Sequence, residues 1–216
     1  MKASLFIYPD FMDVEVKSLK YKFRSAFCMA CALLLVGAAF AMTWTSPKGF
    51  LTDDTYIDKS LPDENFGTEE ILWVTSEGGD PQREAWISFN TVVMIESLKI
   101  KSLEEVSSAT IRVYATEVEN PGEMELHFYS SGFFEETVVW DGKPDYDVDV
   151  EGVIDVDEEG WYEIDATSLI KKAILECKDC PFSAVLVAKG DASVGFASKE
   201  DPEGNGPVLK VTTITA

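Results

Sequence analysis

A chain of 216 residues contains a single histidine, His127. Histidine is the most frequent general acid or base and the usual activator of serine and cysteine nucleophiles. One copy, on an apolar-polar alternating segment with no partner visible in sequence, points to a packed or exposed strand residue. The chain also lacks a G-x-S-x-G elbow, an H-E-x-x-H pair and a P-loop, each of which would place reactive groups at a required spacing. Carboxylates abound, but hydrolysis of a glycosidic bond needs two at a defined separation, and abundance singles out no pair. A non-enzymatic protein is expected. Basic residues are scarce as well: 18 Lys and Arg stand against 39 Asp and Glu, a net charge of −21. Such a field repels nucleic acid, anionic headgroups and polyanionic sugars, and it tolerates cations and neutral glycans. Cysteine is limited to four residues in two C-x-x-C pairs. Cys28 and Cys31 lie in an apolar run. For Cys177 and Cys180, zinc would need about four ligands, while His127 is the only further candidate of its kind. Redox catalysis would call for a βαβ setting, which is absent. A local disulfide between Cys177 and Cys180 is the leading reading in an oxidising exterior.

What is present begins with the apolar run. Ser25 to Pro47 carries no charge and follows the basic stretch KSLKYKFR at Lys17 to Arg24. A basic region, an apolar region and the small-x-small triplet Ala39-Phe40-Ala41 read as an export signal. The run is also long enough to span a bilayer as a retained anchor. In either case residues beyond Pro47 are expected outside the cell, with membrane contact only through this segment if it is uncleaved. Loss of residues 1–41 would remove Lys2, Lys17, Lys20, Lys22 and Arg24 with Asp10, Asp13 and Glu15, and so leave the remainder more acidic. The expected organisation is an export signal at 1–41, a linker at 42–52 and one domain at 53–216, large enough for its own core.

Beyond the linker, short apolar, β-branched or aromatic segments alternate with Gly, Pro, Asp and Asn. They span 55–57, 71–75, 85–89, 110–115, 125–129, 137–140, 160–164, 183–188, 194–197 and 208–213. About ten strands at this spacing predict an all-β fold, a sandwich or barrel of antiparallel sheets. Alternation assigns faces: Ala109, Ile111 and Val113 point one way, Thr110, Arg112 and Tyr114 the other. One segment differs. From Asp165 to Glu176, Leu169, Ile170, Ala173 and Ile174 recur at helical spacing behind the capping candidates Asp165 and Thr167, predicting one short α-helix.

Several of these pieces match a known family in order. Asp54-Thr-Tyr-Ile-Asp58, Asn65-Phe-Gly67, Ala85 to Asn90, Ser108 to Tyr114, Glu135 with Thr137 to Pro144, Trp161 to Thr167, Phe196 to Glu200 and Pro207 to Val211 together resemble the DNRLRE domain. The resemblance implies a secreted, jelly-roll-like β-sandwich of the carbohydrate-binding-module type. Lys199 stands where that family often has Arg, and Phe133 where it often has Trp.

Three site expectations follow. Strand parity turns Trp73, Trp86 and Trp161 away from the inward residues, so they are candidate sugar-stacking platforms unless loops or the helix cover them; Trp140 reads as core. Asp145, Asp147 and Asp149 alternate, which on a strand would put three carboxylates on one face for calcium or solvent to relieve. Asp53 and Asp54 form a second such place. The expected role is glycan binding at or outside the cell surface, with structural Ca²⁺ as the one cofactor under consideration. The alternative is a structural or adhesive subunit that self-associates through sheet edges, with 42–52 as a donated strand.

Overall fold

A computed structural model describes residues 40–47, 51–176 and 180–215. Eleven antiparallel strands hydrogen-bond into one continuous sheet that curls into two facing halves. They are β1 (Phe40–Thr45), β2 (Leu51–Asp58), β3 (Ile71–Glu77), β4 (Asp80–Asn90), β5 (Val106–Asn120), β6 (Gly122–Tyr129), β7 (Gly152–Val156), β8 (Gly160–Asp165), β9 (Pro181–Ala188), β10 (Ser193–Ala197) and β11 (Val208–Thr215). One half has the order β2-β4-β9-β6-β7. In the other, the long β5 carries β8 on one edge and β11 and β10 in succession on the other, with β1 beyond β11 and β3 beyond β10. The β3–β4 hairpin joins the halves, pairing Thr75 with Arg83 and Glu77 with Asp80.

The expected alternation sets the core. Leu72, Val74, Ile111, Val113, Ile164, Val194, Phe196, Leu209 and Val211 face Ala85, Ile87, Phe89, Met124, Leu126, Phe128, Phe182, Ala184 and Leu186, all within 1% of complete burial. Helix α1 (Thr91–Leu98) adds Met94 and Leu98, and helix α2 (Thr167–Glu176) adds Leu169, Ile170 and Ala173. At α2 the Asp165 carboxylate accepts from the Thr167 amide at 2.9 Å, as the capping residues predict. Among the described residues no helix is long and apolar enough to cross a membrane.

Three expectations need correction. The single helix is joined by α1, whose TVVMIESL sequence is rich in β-branched residues. It starts because the Asn90 side chain caps the Val92 amide at 3.0 Å, and it ends at Lys99 in the left-handed region (φ 54°). Residues 137–140 are a connection entering a short 3-10 turn at Trp140–Gly142. The acidic stretch after Asp145 contains a strand, β7, which buries Ile154 and Val156 against β6. Residues 40–45, divided in sequence between signal and linker, form β1, where Thr43 meets Thr212 at 3.0 Å and the Ser46 amide donates to Leu209 at 2.7 Å. The rest of the signal, residues 1–39, and Cys177 of the expected disulfide lie outside the described residues.

The two outer faces differ. Over the half built on β4, β9 and β6, the connection from β6 to β7 folds back as a cover. Trp86, Ile57, Val185 and Val187 pack beneath Phe133, Val138, Trp140 and Tyr146 in a second apolar cluster. This cover is bonded down at several points. Lys143 Nζ reaches the buried Glu84 at 2.6 Å, and the Asp147 and Glu151 amides donate to the Phe128 and Leu126 carbonyls at 2.9 and 2.8 Å. At its start, the Asn65 side chain donates to the carbonyls of Glu135 and Val138.

Gly67 shows how close that last approach is. A Cβ there would stand 2.5 Å from the Glu135 carbonyl oxygen and 2.8 Å from its carbon, and backbone cannot yield cheaply. Gly67→Ala is therefore expected to cost about 1–3 kcal/mol in chemical denaturation, as overpacking generally does. Gly142→Ala, whose nearest neighbour would be Val139 Cγ2 at 3.6 Å, should be close to neutral. Equal effects from the two changes would contradict this account of the cover.

Candidate functional site

Among the described residues nothing covers the outer face of the other half, and four side chains gather there. Ile111, Val113 and Ala115 are fully buried, so Arg112 and Tyr114 between them project outward from β5. On β8 the same parity turns Trp161 and Glu163 outward, and the register pairs Tyr114 with Trp161 and Arg112 with Glu163. The Tyr114 and Trp161 rings meet edge to face, 5.3 Å apart. The Arg112 guanidinium stands 4.5 Å from the Trp161 ring centre and 3.4 Å from Glu163. An arginine held over an aromatic face both steadies the ring and supplies donors beside it. Trp161 remains 42% exposed. The result is a propped aromatic plate with hydrogen-bonding groups at its rim.

Farther across this half, Trp73 projects from β3 and is half-buried. Its indole lies by Gly195 of β10, where an added Cβ would sit 3.5 Å from two ring carbons and 2.7 Å from Ile71 Cγ2. The Arg83 guanidinium is 5.8 Å from the Trp73 ring and bonds Asp58 at 2.6 Å. A shallow hollow lined by Tyr56, Thr68, Glu69 and Glu70 adjoins Trp73.

Of the three tryptophans expected as platforms, Trp161 is open and Trp73 partly so. Trp86 is fully buried and offers no face to a ligand. Its parity is as expected, but Tyr129, Phe133 and Tyr146 enclose it edge-on at 5.7, 6.0 and 5.9 Å. Trp140, expected in the core, is partly buried at the edge of the same cluster, with Lys143 Nζ 4.0 Å from its ring. Tyr114 and Arg112 complete the plate, and the signal for them was their shared outward parity.

The acidic candidates separate. Asp147 bonds Lys172 of α2 at 2.6 Å and Asp149 stands 4.0 Å from the same ammonium, whose pKa the Asp147 hydrogen bond raises; Asp145 is exposed apart from them. A helix lysine thus sits where an ion was considered. His127 is buried under this segment, with Nδ1 3.1 Å from the carbonyl oxygens of Asp147 and Asp149.

Asp54 has a different setting. It is 1% exposed on β2 and meets Glu135 of the cover and Glu200 after β10, one oxygen from each lying within 4.8 Å of the others. Lys199 joins them: its Nζ bonds Glu135 at 2.6 Å and Glu200 at 2.9 Å, and its amide donates to Asp54 at 2.9 Å. Burial pushes the Asp54 pKa up to about 8, and the charges of Glu200 and Glu135 add to the rise against the Lys199 amide bond. Asp53 is less involved, accepting from the Glu135 amide at 3.4 Å.

The family model described as carbohydrate-binding module family 96 matches residues 48–213. The match takes in the open plate, the cover and the carboxylate cluster, and its class is the one implied by the motif resemblance. No curated protein matches the chain.

The Asp58–Arg83 pair that backs Trp73 has a testable pH signature. Burial alone would raise the Asp58 pKa, but hydrogen bonds from Ser60 and Arg83 outweigh it and hold the carboxyl below its ordinary 3.8. A folded-state pKa below the unfolded one contributes stability that is present above the ordinary value and lost as the pH falls through the lower one. Asp58→Asn should therefore be destabilising at neutral pH, and the gap from the parent chain should close as the pH drops below 3.8. Urea denaturation across that range measures it. A gap independent of pH would contradict the ion pair's role.

Proposed function

The chain belongs to carbohydrate-binding module family 96, and from that premise we propose that it is an exported, non-catalytic module that holds a neutral glycan on the open face of its β8-β5 half. The observation that carries this reading is the plate formed by Trp161, Tyr114 and Arg112. An aromatic ring 42% exposed and held in place by its neighbours is poorly explained by packing alone. Its orientation is already set, so little side-chain entropy remains to be lost on stacking with a sugar ring. Arg112 and Glu163 at the rim supply donors and acceptors for hydroxyl groups, and Trp73 extends the aromatic character toward β3.

Charge selects the class of glycan. With a net charge of −21, a uronate or sulfated polymer would meet a repulsive field, whereas a neutral one would not. Export rests on the basic and apolar N-terminal segment, and a role at the cell surface or in the surrounding matrix is consistent with a binding module.

Affinity electrophoresis and calorimetry against a panel of neutral polysaccharides test the reading, with polyanionic ones for contrast. Trp161→Ala should weaken binding by about tenfold or more, equivalent to about 1.4 kcal/mol, and leave the thermal midpoint nearly unchanged because the ring is half open. Binding should depend little on salt. Undiminished binding by Trp161→Ala, or steady turnover of a polysaccharide by the parent chain, would contradict the proposal.

A further inference from the structure

We propose that Asp54, Glu135 and Glu200 form a divalent-cation site, of the kind that suits calcium, which ties strand β2 to the β6–β7 cover and to the β10–β11 connection. The three carboxylates come from positions far apart in the chain, yet each places an oxygen within 4.8 Å of the other two. Like charges at that distance repel strongly where water is excluded. Among the described residues Lys199 is the one cation bonded into the cluster, through Glu135 and Glu200. Fully ionised, three carboxylates and one ammonium leave an excess of two negative charges, which a single divalent ion matches.

The oxygens themselves give the second, independent observation. Four of the six are occupied. Asp54 Oδ2 accepts from the Lys199 amide, Glu135 Oε2 from the Asp54 amide at 3.2 Å, and Glu135 Oε1 and Glu200 Oε1 from Lys199 Nζ. The remaining two, Asp54 Oδ1 and Glu200 Oε2, are both shut off from solvent and have no hydrogen-bond partner. Asp54 as a residue is 1% exposed. An unpaired buried carboxylate oxygen is costly, more so than an unpaired neutral group, and two in one cluster call for a common partner. A cation bound between them relieves both.

The donor set decides the chemistry. Among the described residues it is all oxygen, with no thiol or imidazole in the cluster, which favours a hard cation over zinc or copper. The Glu135 and Glu200 side chains keep 17% and 27% exposure, so the cluster has a solvent side from which waters complete a coordination shell. Calcium accepts six to eight oxygens in flexible geometry, whereas magnesium demands a near-ideal octahedron. Irregular donors from one strand and two connections fit the former. The site is distinct from the Asp147–Asp149 segment, where Lys172 is shared with Glu151 and the two aspartates stand open to water, which relieves their charge.

The test uses the purified full chain, stripped with a chelator and dialysed at constant pH and ionic strength. Its thermal midpoint should climb by several degrees and continue to rise with the logarithm of free calcium, as ligand linkage requires; equal magnesium should do much less. Elemental analysis after calcium dialysis should find one bound equivalent. Asp54→Asn and Glu200→Gln should each abolish the calcium response, and Glu200→Gln, at the more open carboxylate, keeps the test valid if the Asp54 variant does not fold. The double change Asp147→Asn with Asp149→Asn should leave the response intact. A parent chain that retains no calcium and shows no shift would overturn the proposal, as would a response that survives Glu200→Gln or is lost in the Asp147 and Asp149 variant.

Discussion

The contact between Asp54, Glu135, Lys199 and Glu200 is the constraint on which the arrangement of the surfaces depends. It brings together β2, the start of the long β6–β7 connection and the turn after β10, three places that local sequence gives no reason to meet. Asn65 and Gly67 of the β2–β3 loop are drawn into the same place through Glu135. Once Glu135 is fixed, the following residues must cross the outer face of β4 and β9. There Trp86 receives them, Lys143 pairs with Glu84, and Asp147 and Glu151 run beside β6. The covered face is covered because its first anchor lies at this cluster. Among the described residues no such connection crosses the opposite face, and its aromatic plate stays open.

Much of this was legible in the sequence because it rests on period-two alternation. The inward set on β5, Ala109, Ile111 and Val113, is the one that parity assigns, and the helix from Thr167 shows its 3.6-residue stripe plainly. Six residues of the motif pieces that resembled a binding-module family, Asp54, Asn65, Gly67, Glu135, Lys199 and Glu200, converge in space, which explains why they read together although they stand far apart in the chain. What sequence hid has a common cause. Parity states which way a side chain leaves its strand, never what lies above it. Trp86 and Trp161 have the same outward parity, and only the path of residues 130–151 makes one a core residue and the other a plate. Helix α1 was hidden for a different reason, since Val92, Val93 and Ile95 favour strands locally and tertiary burial of Met94 and Leu98 outweighs that preference.

Charge placement follows the same division. The scarce cations are spent internally: Arg83 on Asp58, Lys143 on Glu84, Lys172 on Asp147, Lys199 on Glu135 and Glu200. Arg83 ties two paired strands, Lys143 holds the cover to a strand, Lys172 a helix to the cover, and Lys199 the cover to the connection after β10. Arg112 differs in standing over an open aromatic ring with a carboxylate beside it. In the proposed binding mode that position lets a cation serve recognition as well as structure, within a surface whose overall sign discourages acidic polymers.

The central claim is that the open face, and not the covered one, is the binding surface. Amide and indole NMR of the chain titrated with a neutral oligosaccharide that it binds tests this most directly. Shifts are expected at the Trp161 indole and along β8 and the outward positions of β5, with the Trp86 and Trp140 indoles unmoved. Shifts confined to Trp86, Trp140 and the cover, with Trp161 silent, would contradict it.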